Sequence, residues 1–240
     1  MIRTLTWFVF FFAYQVYLLP ALFRAGRLQK QGKTDALERF TAEVSVKWAR
    51  RLLWLAGCRI QTEGLDRIPA DGAVLFTPNH QSNFDIPLLM ASLGRPAGFI
   101  AKESLERFPL INRWMRLIHC VFIRRGNPRE AAAAISAGIA ELKQGHSMIV
   151  FPEGTRSLDG SLQEFKAGAL KLATKARVPI VPVAIDGSIR MMQKGSIRIR
   201  PAVVRVTVLE PLMPDSYDNT DTTALSLMIQ EAVQKQLKKD

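Results

Sequence analysis

The sequence predicts an α/β fold: a single mixed, largely parallel sheet flanked by helices, preceded by a membrane-associated pair of helices. Short apolar or alternating segments take turns with helix-like segments from residue 58 to residue 239, which is typical of strands joined by helices. Residues 5–23 carry no charge. The segment that follows them has the 3.6-residue periodicity of an amphipathic helix. We therefore predict two parts, residues 1–57 and residues 58–240.

The composition is that of a folded, basic protein. Of the 240 residues, 48% are hydrophobic and 22% are charged, which argues against a disordered chain. The 33 Lys and Arg residues outnumber the 21 Asp and Glu residues and give a net charge of +12. Such a charge attracts nucleic acids, anionic lipid surfaces and phosphorylated small molecules, and composition alone does not choose among them.

Cysteines and histidines are few and far apart. Cys58 and Cys120 are the only cysteines, and the histidines are His80, His119 and His146. The absence of CxxC and HExxH spacings excludes a disulfide framework and a cysteine-rich zinc site. We therefore expect no metal.

The first 57 residues are predicted to form a helical pair that lies in or on one membrane leaflet. A helix from Leu5 to Leu19 would be about 22 Å long, whereas a hydrocarbon core is about 30 Å thick. Pro20 is expected to kink or end this helix. No small-x-small cleavage site follows the apolar stretch, which disfavours a signal peptide. The basic residues on its two flanks are Arg3, Arg24, Arg27, Lys30 and Lys33.

The second helix of the pair carries its apolar side chains on one stripe: Phe40, Val44, Trp48, Leu52 and Leu55. Gly57 is expected to end it, and the segment Arg24 to Lys33 is expected to be the turn between the two helices. An ordinary helix packed on the core would show the same stripe. The apolar helix before it and its two tryptophans favour an interfacial membrane helix.

Beyond residue 57 the predicted strands and helices alternate. Strands are expected at 58–64, 72–77, 96–102, 119–124, 146–151 and 178–185, from their apolar or alternating patterns. Helices are expected at 85–93, 104–118 with a break near Pro109, 127–145, 166–176 and 222–239. Pro128 and Gly145 mark the start and end of the third of these. Residues 196–212 are expected to form a hairpin or two strands.

Polar motifs follow three of the predicted strands. Asn79 and His80 follow the second strand and Arg124 and Arg125 the fourth. A tight turn follows the fifth strand and contains Glu153, Gly154, Thr155 and Arg156. Because sites in such sheets lie at the carboxyl ends of the strands, we expect the three motifs to form a single site.

His80 and Asp85 are a candidate general-base pair. A carboxylate beside an imidazole fixes its tautomer and stabilises the imidazolium that forms when it accepts a proton. The proton would come from a substrate hydroxyl. Ser82 to Asp85 also fits a capping box, so helix capping is an alternative role for Asp85, and the two roles are compatible. Without a GxSxG motif, covalent catalysis is disfavoured.

The arginines after the strands suit a bidentate contact with phosphate, although an isolated arginine is usually a solvated surface charge. The tight turn at Gly154, directly after an apolar strand, favours a functional role. Lys166, just beyond this turn, is a weaker candidate for the same contact. The turn lacks the GxxxxGK[ST] pattern, so nucleotide hydrolysis is poorly supported.

Four segments in this order resemble the motifs of the glycerolipid acyltransferases, most closely the bacterial 1-acyl-glycerol-3-phosphate acyltransferases. They are NHQSNFD (79–85), FIRR (122–125), FPEGTRS (151–157) and VPIVPVAI (178–185). The resemblance covers roughly residues 58–210, and the N-terminal helical pair is also similar. It implies acyl transfer from a thioester of coenzyme A or acyl carrier protein to a lysophosphatidate hydroxyl, giving phosphatidic acid without a cofactor.

The resemblance also implies roles for individual residues. His80 matches the base of the family and Asp85 its partner, while Glu153, Gly154 and Arg156 match the acceptor-binding motif. The implied substrate-binding set is Arg124, Arg125, Glu153, Gly154, Thr155, Arg156 and Lys166. One departure concerns the second motif, which is close to Gly-x-x-Phe-Ile-x-Arg in the family. Here Arg125 aligns with its arginine, Arg124 is additional, and His119 stands where glycine is usual.

Two other functions fit parts of the sequence. A related acyltransferase could act on glycerol-3-phosphate or another lysolipid. A non-enzymatic basic adaptor would need neither His80 nor Asp85, and no aromatic platform or nucleic-acid recognition motif supports it. We expect a monotopic protein of the inner (cytoplasmic) membrane, with the domain on the cytoplasmic side, bound to anionic lipid and not to nucleic acid.

Overall fold

The computed structural model describes residues 1–124, 126–218 and 220–238. The helices are α1 (Ile2–Tyr17), α2 (Leu19–Lys30), α3 (Thr34–Ala56), α4 (Asp85–Ser92), α5 (Pro109–Leu117), α6 (Pro128–Lys143), α7 (Ala167–Ala176), α8 (Pro214–Tyr217) and α9 (Thr222–Leu237). The strands are β1 (Cys58–Glu63), β2 (Leu75–Pro78), β3 (Gly98–Lys102), β4 (Val121–Ile123), β5 (Met148–Ile149), β6 (Ile180–Asp186) and β7 (Ala202–Val208).

Among the described residues, seven strands form one sheet in the order β1-β7-β6-β2-β5-β3-β4. Strands β6, β2, β5, β3 and β4 are parallel to one another. Strand β7 is antiparallel to β6 and parallel to β1. The predicted single mixed, largely parallel sheet is confirmed. Its topology places the carboxyl ends of β2, β5 and β4 along the same edge.

The central strands β2, β5 and β6 are mostly apolar, as expected of strands with both faces covered by helices. Neighbouring residues of a strand point to opposite faces, so Leu75 and Ile180 belong to one core cluster, and Phe76 and Val181 belong to the other. Helices α3 and α4 contribute to the Phe76 cluster, and α7 and α9 to the Leu75 cluster. The sheet is therefore a rigid base for the loops at its edges.

Several helices begin and end at the residues that the sequence predicts. Helix α3 ends at Ala56, and Gly57 adopts the left-handed conformation (φ 77°) that glycine permits at a helix end. Asn127 caps α6, since its side chain accepts hydrogen bonds from the backbone N–H groups of Arg129 and Glu130. The predicted break near Pro109 is confirmed, because a 3₁₀ turn (Glu103–Arg107) precedes α5.

The prediction of a hairpin or two strands at 196–212 is wrong. Within the described residues this region contributes one strand, β7, which lies between β1 and β6 and pairs with both. The alternating pattern is that of a strand, but its hydrogen-bonding partners are distant in sequence. Local periodicity carries no information about which segment a strand will pair with.

The turn predicted from Arg24 to Lys33 is shorter than expected, because α2 continues to Lys30. Pro20 occupies the first turn of α2, where the N–H that proline lacks would have no helical partner. Helices α1 and α2 bend by 41° at their junction. Over the described residues, no single helix has the length and hydropathy of a membrane span, and only the bent pair α1 and α2 reaches them together.

Helix α1 is apolar on two sides. Its inner side carries Trp7, which is 8% exposed, donates from Nε1 to the Leu52 carbonyl at 2.9 Å and contacts Phe84. Trp7 belongs to the same core cluster as the sheet residue Phe76, so the core continues across the predicted boundary at residue 57. The outer side exposes a row of large apolar side chains: Ile2, Leu5, Val9, Phe12 and Val16.

Candidate active site

The segment after β2 is attached to β6 through Asn79. Its side-chain amide donates to the Ile185 carbonyl at 2.9 Å, and its side-chain oxygen accepts from the Ile185 N–H at 2.7 Å. Asn79 is almost fully buried. The side chain thus continues the pairing of β2 with β6 beyond the end of the strand and fixes the direction in which the chain leaves the sheet.

His80 and Asp85 lie in contact at this edge. Nδ1 of His80 is 2.7 Å from Oδ2 of Asp85, and the imidazole stacks on Phe151 with ring centres 3.8 Å apart. The Asp85 side chain is fully buried, whereas the His80 side chain keeps 12% of its surface exposed. A carboxylate on Nδ1 fixes the tautomer that has its lone pair on Nε2. No group among the described residues hydrogen-bonds to Nε2 of His80, so this atom is open to a substrate.

Asp85 contacts backbone N–H groups as well as the His80 ring. It begins α4, and the same Oδ2 atom accepts from the backbone N–H groups of Gln81 at 2.7 Å and Ser82 at 2.8 Å. These bonds hold the turn that leads into α4, whose N-cap residue is Phe84 and has no side-chain cap. The second oxygen, Oδ1, is buried and has no hydrogen-bond partner among the described residues. Asp85 therefore orients the His80 ring and fixes the turn before α4.

Glu153 holds the backbone of His80. It is 3% exposed, and its Oε1 accepts from the His80 N–H at 2.5 Å, while Oε2 accepts from the Gln163 N–H at 3.0 Å. The Ser157 N–H also donates to the His80 carbonyl at 2.8 Å. Burial raises the pKa of Glu153 to about 7, against the lowering effect of its two N–H donors. Both of its carboxylate oxygens are used inside the protein.

Positive side chains surround the turn that follows Glu153. Gly154 has φ +70°, and a Cβ there would lie 3.2 Å from the Lys166 ammonium nitrogen. The Lys194 ammonium donates to the Thr155 hydroxyl and to the Arg156 carbonyl, both at 3.0 Å. Arg156 is half-buried, and its guanidinium forms no ion pair or hydrogen bond with any described residue. The sequence analysis missed Lys194, because it reaches this turn from the β6–β7 connection and belongs to no motif.

Of the two arginines after β4, Arg124 lies within the described residues and is already paired. Arg124 is paired with Glu103 at 2.5 Å and with Glu130 at 3.0 Å, so two carboxylates already compensate its charge. Arg125 lies outside the described residues. His119, which stands where the family has glycine, adopts a left-handed conformation with φ 61°. The backbone shape that glycine favours is therefore present at this turn despite the substitution.

The structure therefore has the architecture of an α/β enzyme with a histidine–aspartate pair at the carboxyl edge of its sheet. A family model described as acyltransferase matches residues 59–186. A probable 1-acyl-sn-glycerol-3-phosphate acyltransferase of Mycoplasma pneumoniae is 34% identical over 200 residues, which are 77% of this chain and 75% of that protein. The 1-acyl-sn-glycerol-3-phosphate acyltransferase of Cocos nucifera is 34% identical over 70% of this chain and 54% of its own length.

The fold is similar to a solved structure as well. The crystal structure of the 1-acyl-sn-glycerophosphate (LPA) acyltransferase PlsC from Thermotoga maritima superposes with a TM-score of 0.87 and 30% sequence identity, covering 99% of this chain and 94% of that one. This chain belongs to the acyltransferase family and is an enzyme of that class. The resemblance seen in the four sequence motifs is confirmed.

The buried carboxyl of Glu153 predicts a pH-dependent stability. Its pKa in the folded protein, about 7, lies above the ordinary value of 4.5, so between these values the folded state binds more protons than the unfolded state. The free energy of unfolding should fall as pH rises from 4.5 to 7, by on the order of 3 kcal/mol at most. Glu153→Gln should flatten this slope in chemical denaturation at a series of pH values.

The exposed neighbour Glu164 supplies the control, because Glu164→Gln should keep the slope of the unsubstituted protein. Equal slopes in the protein with and without Glu153 would show that this carboxyl is not the group responsible.

Proposed function

We propose that this protein transfers an acyl group from an acyl thioester, carried by coenzyme A or acyl carrier protein, to the sn-2 hydroxyl of 1-acyl-glycerol-3-phosphate. The product would be phosphatidic acid, a precursor of phospholipids. The observation that carries the proposal is the His80–Asp85 pair, whose Nε2 is open at the edge where the positive turn lies. The names of the relatives support the choice of acceptor.

In the proposed step, Nε2 of His80 removes the proton of the acceptor hydroxyl as its oxygen attacks the thioester carbonyl. The tetrahedral intermediate then expels the thiolate, which takes the proton back from the imidazolium. The buried carboxylate of Asp85 stabilises this imidazolium, since the two groups touch where little solvent screens them. The step uses no cofactor and leaves His80 neutral for the next turnover.

The phosphate of the acceptor is assigned to the positive turn. Arg156 has an uncommitted guanidinium, Lys166 approaches the turn at Gly154, and Lys194 binds it at Thr155 and Arg156. Arg125 is assigned to the same phosphate because it aligns with the arginine of the second motif. Arg124 is assigned a structural role instead, because Glu103 and Glu130 bind it.

Glu153 is assigned a positioning role rather than the substrate contact expected from its motif. Its two oxygens fix the backbone of His80 and of Gln163, and neither is left for a ligand. Gly154 and Thr155 shape the turn between them: Gly154 supplies the left-handed backbone, and the Thr155 hydroxyl accepts the bond from Lys194.

Removing the base tests the chemistry. His80→Ala should lower kcat by about 10² to 10⁴ with a much smaller change in either KM, because it removes proton transfer and only a single hydrogen bond to the acceptor hydroxyl. Asp85→Asn should also lower kcat, while the amide oxygen can still accept from the Gln81 and Ser82 N–H groups and hold the turn before α4. The measurement is phosphatidic acid formation by purified protein of native circular dichroism.

Normal turnover in a folded His80→Ala protein would contradict the mechanism. The acceptor is tested separately by supplying glycerol-3-phosphate in place of 1-acyl-glycerol-3-phosphate, each with a panel of acyl donors. Faster acylation of glycerol-3-phosphate would keep the mechanism and replace the proposed acceptor.

Removing the phosphate contact should change the KM of the acceptor much more than the KM of the donor. Arg156→Ala should raise the acceptor KM ten- to hundredfold and leave the donor KM much less affected, since a charge-assisted contact is worth roughly 1.5 to 3 kcal/mol. Arg177→Ala is the matched control, because Arg177 pairs with Asp218 near the opposite edge of the sheet. A rise in the donor KM alone would move the phosphate at this turn from the acceptor to the donor.

The outer side of α1 is the proposed membrane contact. Its exposed row of apolar side chains, together with exposed Phe23 and Trp54, is the surface that an interfacial helix buries among lipid headgroups. The basic residues that follow α1 suit an anionic surface, at about 1 kcal/mol each. We propose monotopic attachment to the cytoplasmic face of the inner membrane, which lets the acceptor keep its acyl chain in the bilayer.

Monotopic attachment predicts that both ends of the chain face the same side. Single cysteines placed by Ile2→Cys and by Lys238→Cys, in a background lacking Cys58 and Cys120, should react with a membrane-impermeant thiol reagent from the same face of sealed vesicles. Labelling from opposite faces would establish a true span. Substituting Val9→Glu should weaken membrane binding without touching the core, whereas deleting α1 would also remove Trp7 from it.

A further inference from the structure

Two histidines and two glutamates meet at the edge of the sheet opposite His80. His119 and His146 precede β4 and β5, and their rings stack with centres 3.5 Å apart at an angle of 19°. Both donate from Nδ1 to the same oxygen of Glu141 on α6, at 3.0 and 2.7 Å. Glu38, from α3, places a carboxylate oxygen 3.2 Å from Nε2 of His146. Sequence patterns do not reveal this cluster, because the two histidines are 27 positions apart and no motif contains them.

The contact between His146 and Glu38 needs a positive charge between the two atoms. With its Nδ1 proton given to Glu141, a neutral His146 has a lone pair on Nε2. That lone pair faces the Glu38 carboxylate, and two acceptors repel unless a proton or a metal ion joins them. A single cation shared by the cluster satisfies all these groups at once.

The distances suit a small transition-metal ion. Zinc lies about 2.0 to 2.1 Å from imidazole nitrogen and from carboxylate oxygen, so neighbouring ligand atoms of a tetrahedral site are roughly 3.3 Å apart. The observed 3.2 Å between His146 and Glu38 fits this value. One ligand atom from each of Glu38, His119 and His146 lies within 4.8 Å of the others. A shift of roughly 1.5 Å therefore closes the widest of these separations.

We propose that Glu38, His119 and His146 bind one Zn²⁺ ion. The two imidazoles would turn out of their stacked arrangement so that their Nε2 lone pairs converge on the ion, while Glu141 keeps accepting from their Nδ1–H groups. An imidazole ligand that donates its other N–H to a carboxylate is the usual arrangement at protein zinc sites. The three residues line a cavity of about 400 Å³, which provides access and room for a water as fourth ligand. This proposal departs from the expectation that the dispersed histidines bind no metal.

The position of the site suggests a structural effect rather than a part in acyl transfer. Glu38 belongs to α3, whereas the other ligands lie on connections into β4 and β5 at the edge remote from His80. A bound ion would therefore tie the N-terminal helices to the sheet. Arg95 lines the same cavity and donates to the carbonyls of Pro69 and Gly72. Its positive charge weakens the attraction of the site for a cation.

Zinc binding by the full-length protein in detergent is the test. Protein stripped of metal by a chelator should take up one Zn²⁺ per chain in competition with a chromogenic chelator, and its Tm should rise with free Zn²⁺. At a concentration a hundredfold above Kd, the unfolding equilibrium should shift about a hundredfold. Mg²⁺ should have no such effect, because it prefers oxygen ligands.

Variants locate the ion. His146→Ala and the milder Glu38→Gln should each abolish or strongly weaken uptake, and Glu141→Gln should weaken it about ten- to hundredfold. His80→Ala is the matched control, since it removes the third histidine of the chain and should leave uptake unchanged, as should Cys58→Ser. Because Glu38 is part-exposed on a helix, Glu38→Gln is expected to fold even if His146→Ala does not.

Three results would overturn the proposal: no uptake by the unsubstituted protein, uptake that survives Glu38→Gln and His146→Ala, or uptake lost in His80→Ala or Cys58→Ser. The first would leave the cluster as a hydrogen-bonded histidine–glutamate network, and the last would move the ion to another site.

Discussion

The geometry of the site depends on how the seven residues after β2 are held, because a strand end without partners would leave His80 free to move. Asn79 ties this segment to β6, Glu153 and Ser157 tie the backbone of His80 to the turn after β5, and Asp85 fixes its ring. These contacts reach the segment from two neighbouring strands. They are possible only because β6, β2 and β5 are parallel neighbours whose carboxyl ends share an edge.

Charge is distributed along this edge according to burial. The carboxyl groups of Asp85 and Glu153 are buried and hydrogen-bonded to backbone N–H groups. At the turn, by contrast, Lys166 is exposed and Arg156 and Lys194 are half-buried. Buried carboxylates act on protein groups over short distances because little water screens them. Exposed cations attract an anionic substrate and are still free to bind it. The arrangement separates the groups that orient His80 from those suited to hold phosphate.

The N-terminal helices join the site to the proposed membrane surface through packing. Trp7 and Leu52 place α1 and α3 in the same core as β2 and β6, so the exposed apolar side of α1 has a fixed orientation relative to the site. An interfacial helix connected by a flexible linker would leave that orientation undefined. A zinc ion at Glu38 would reinforce this attachment from the other end of α3, where the helix is farthest from Trp7.

The sequence by itself determined the order of strands and helices, the mixed parallel sheet, the break at Pro109 and the His80–Asp85 pair. Apolar periodicity, caps and contacts between residues five apart are properties of short segments, so they can be recognised without the fold. The tertiary structure decided that β7 is a single strand between β1 and β6, that α2 extends to Lys30, and that Glu153 supports His80 from 73 residues away. It also brought Lys194 to Arg156, engaged Arg124 with two glutamates, and stacked His119 on His146. All but the helix extension are contacts between segments distant in the chain. Strand pairing and helix packing bring such segments together, and no local pattern of residues records which ones will meet.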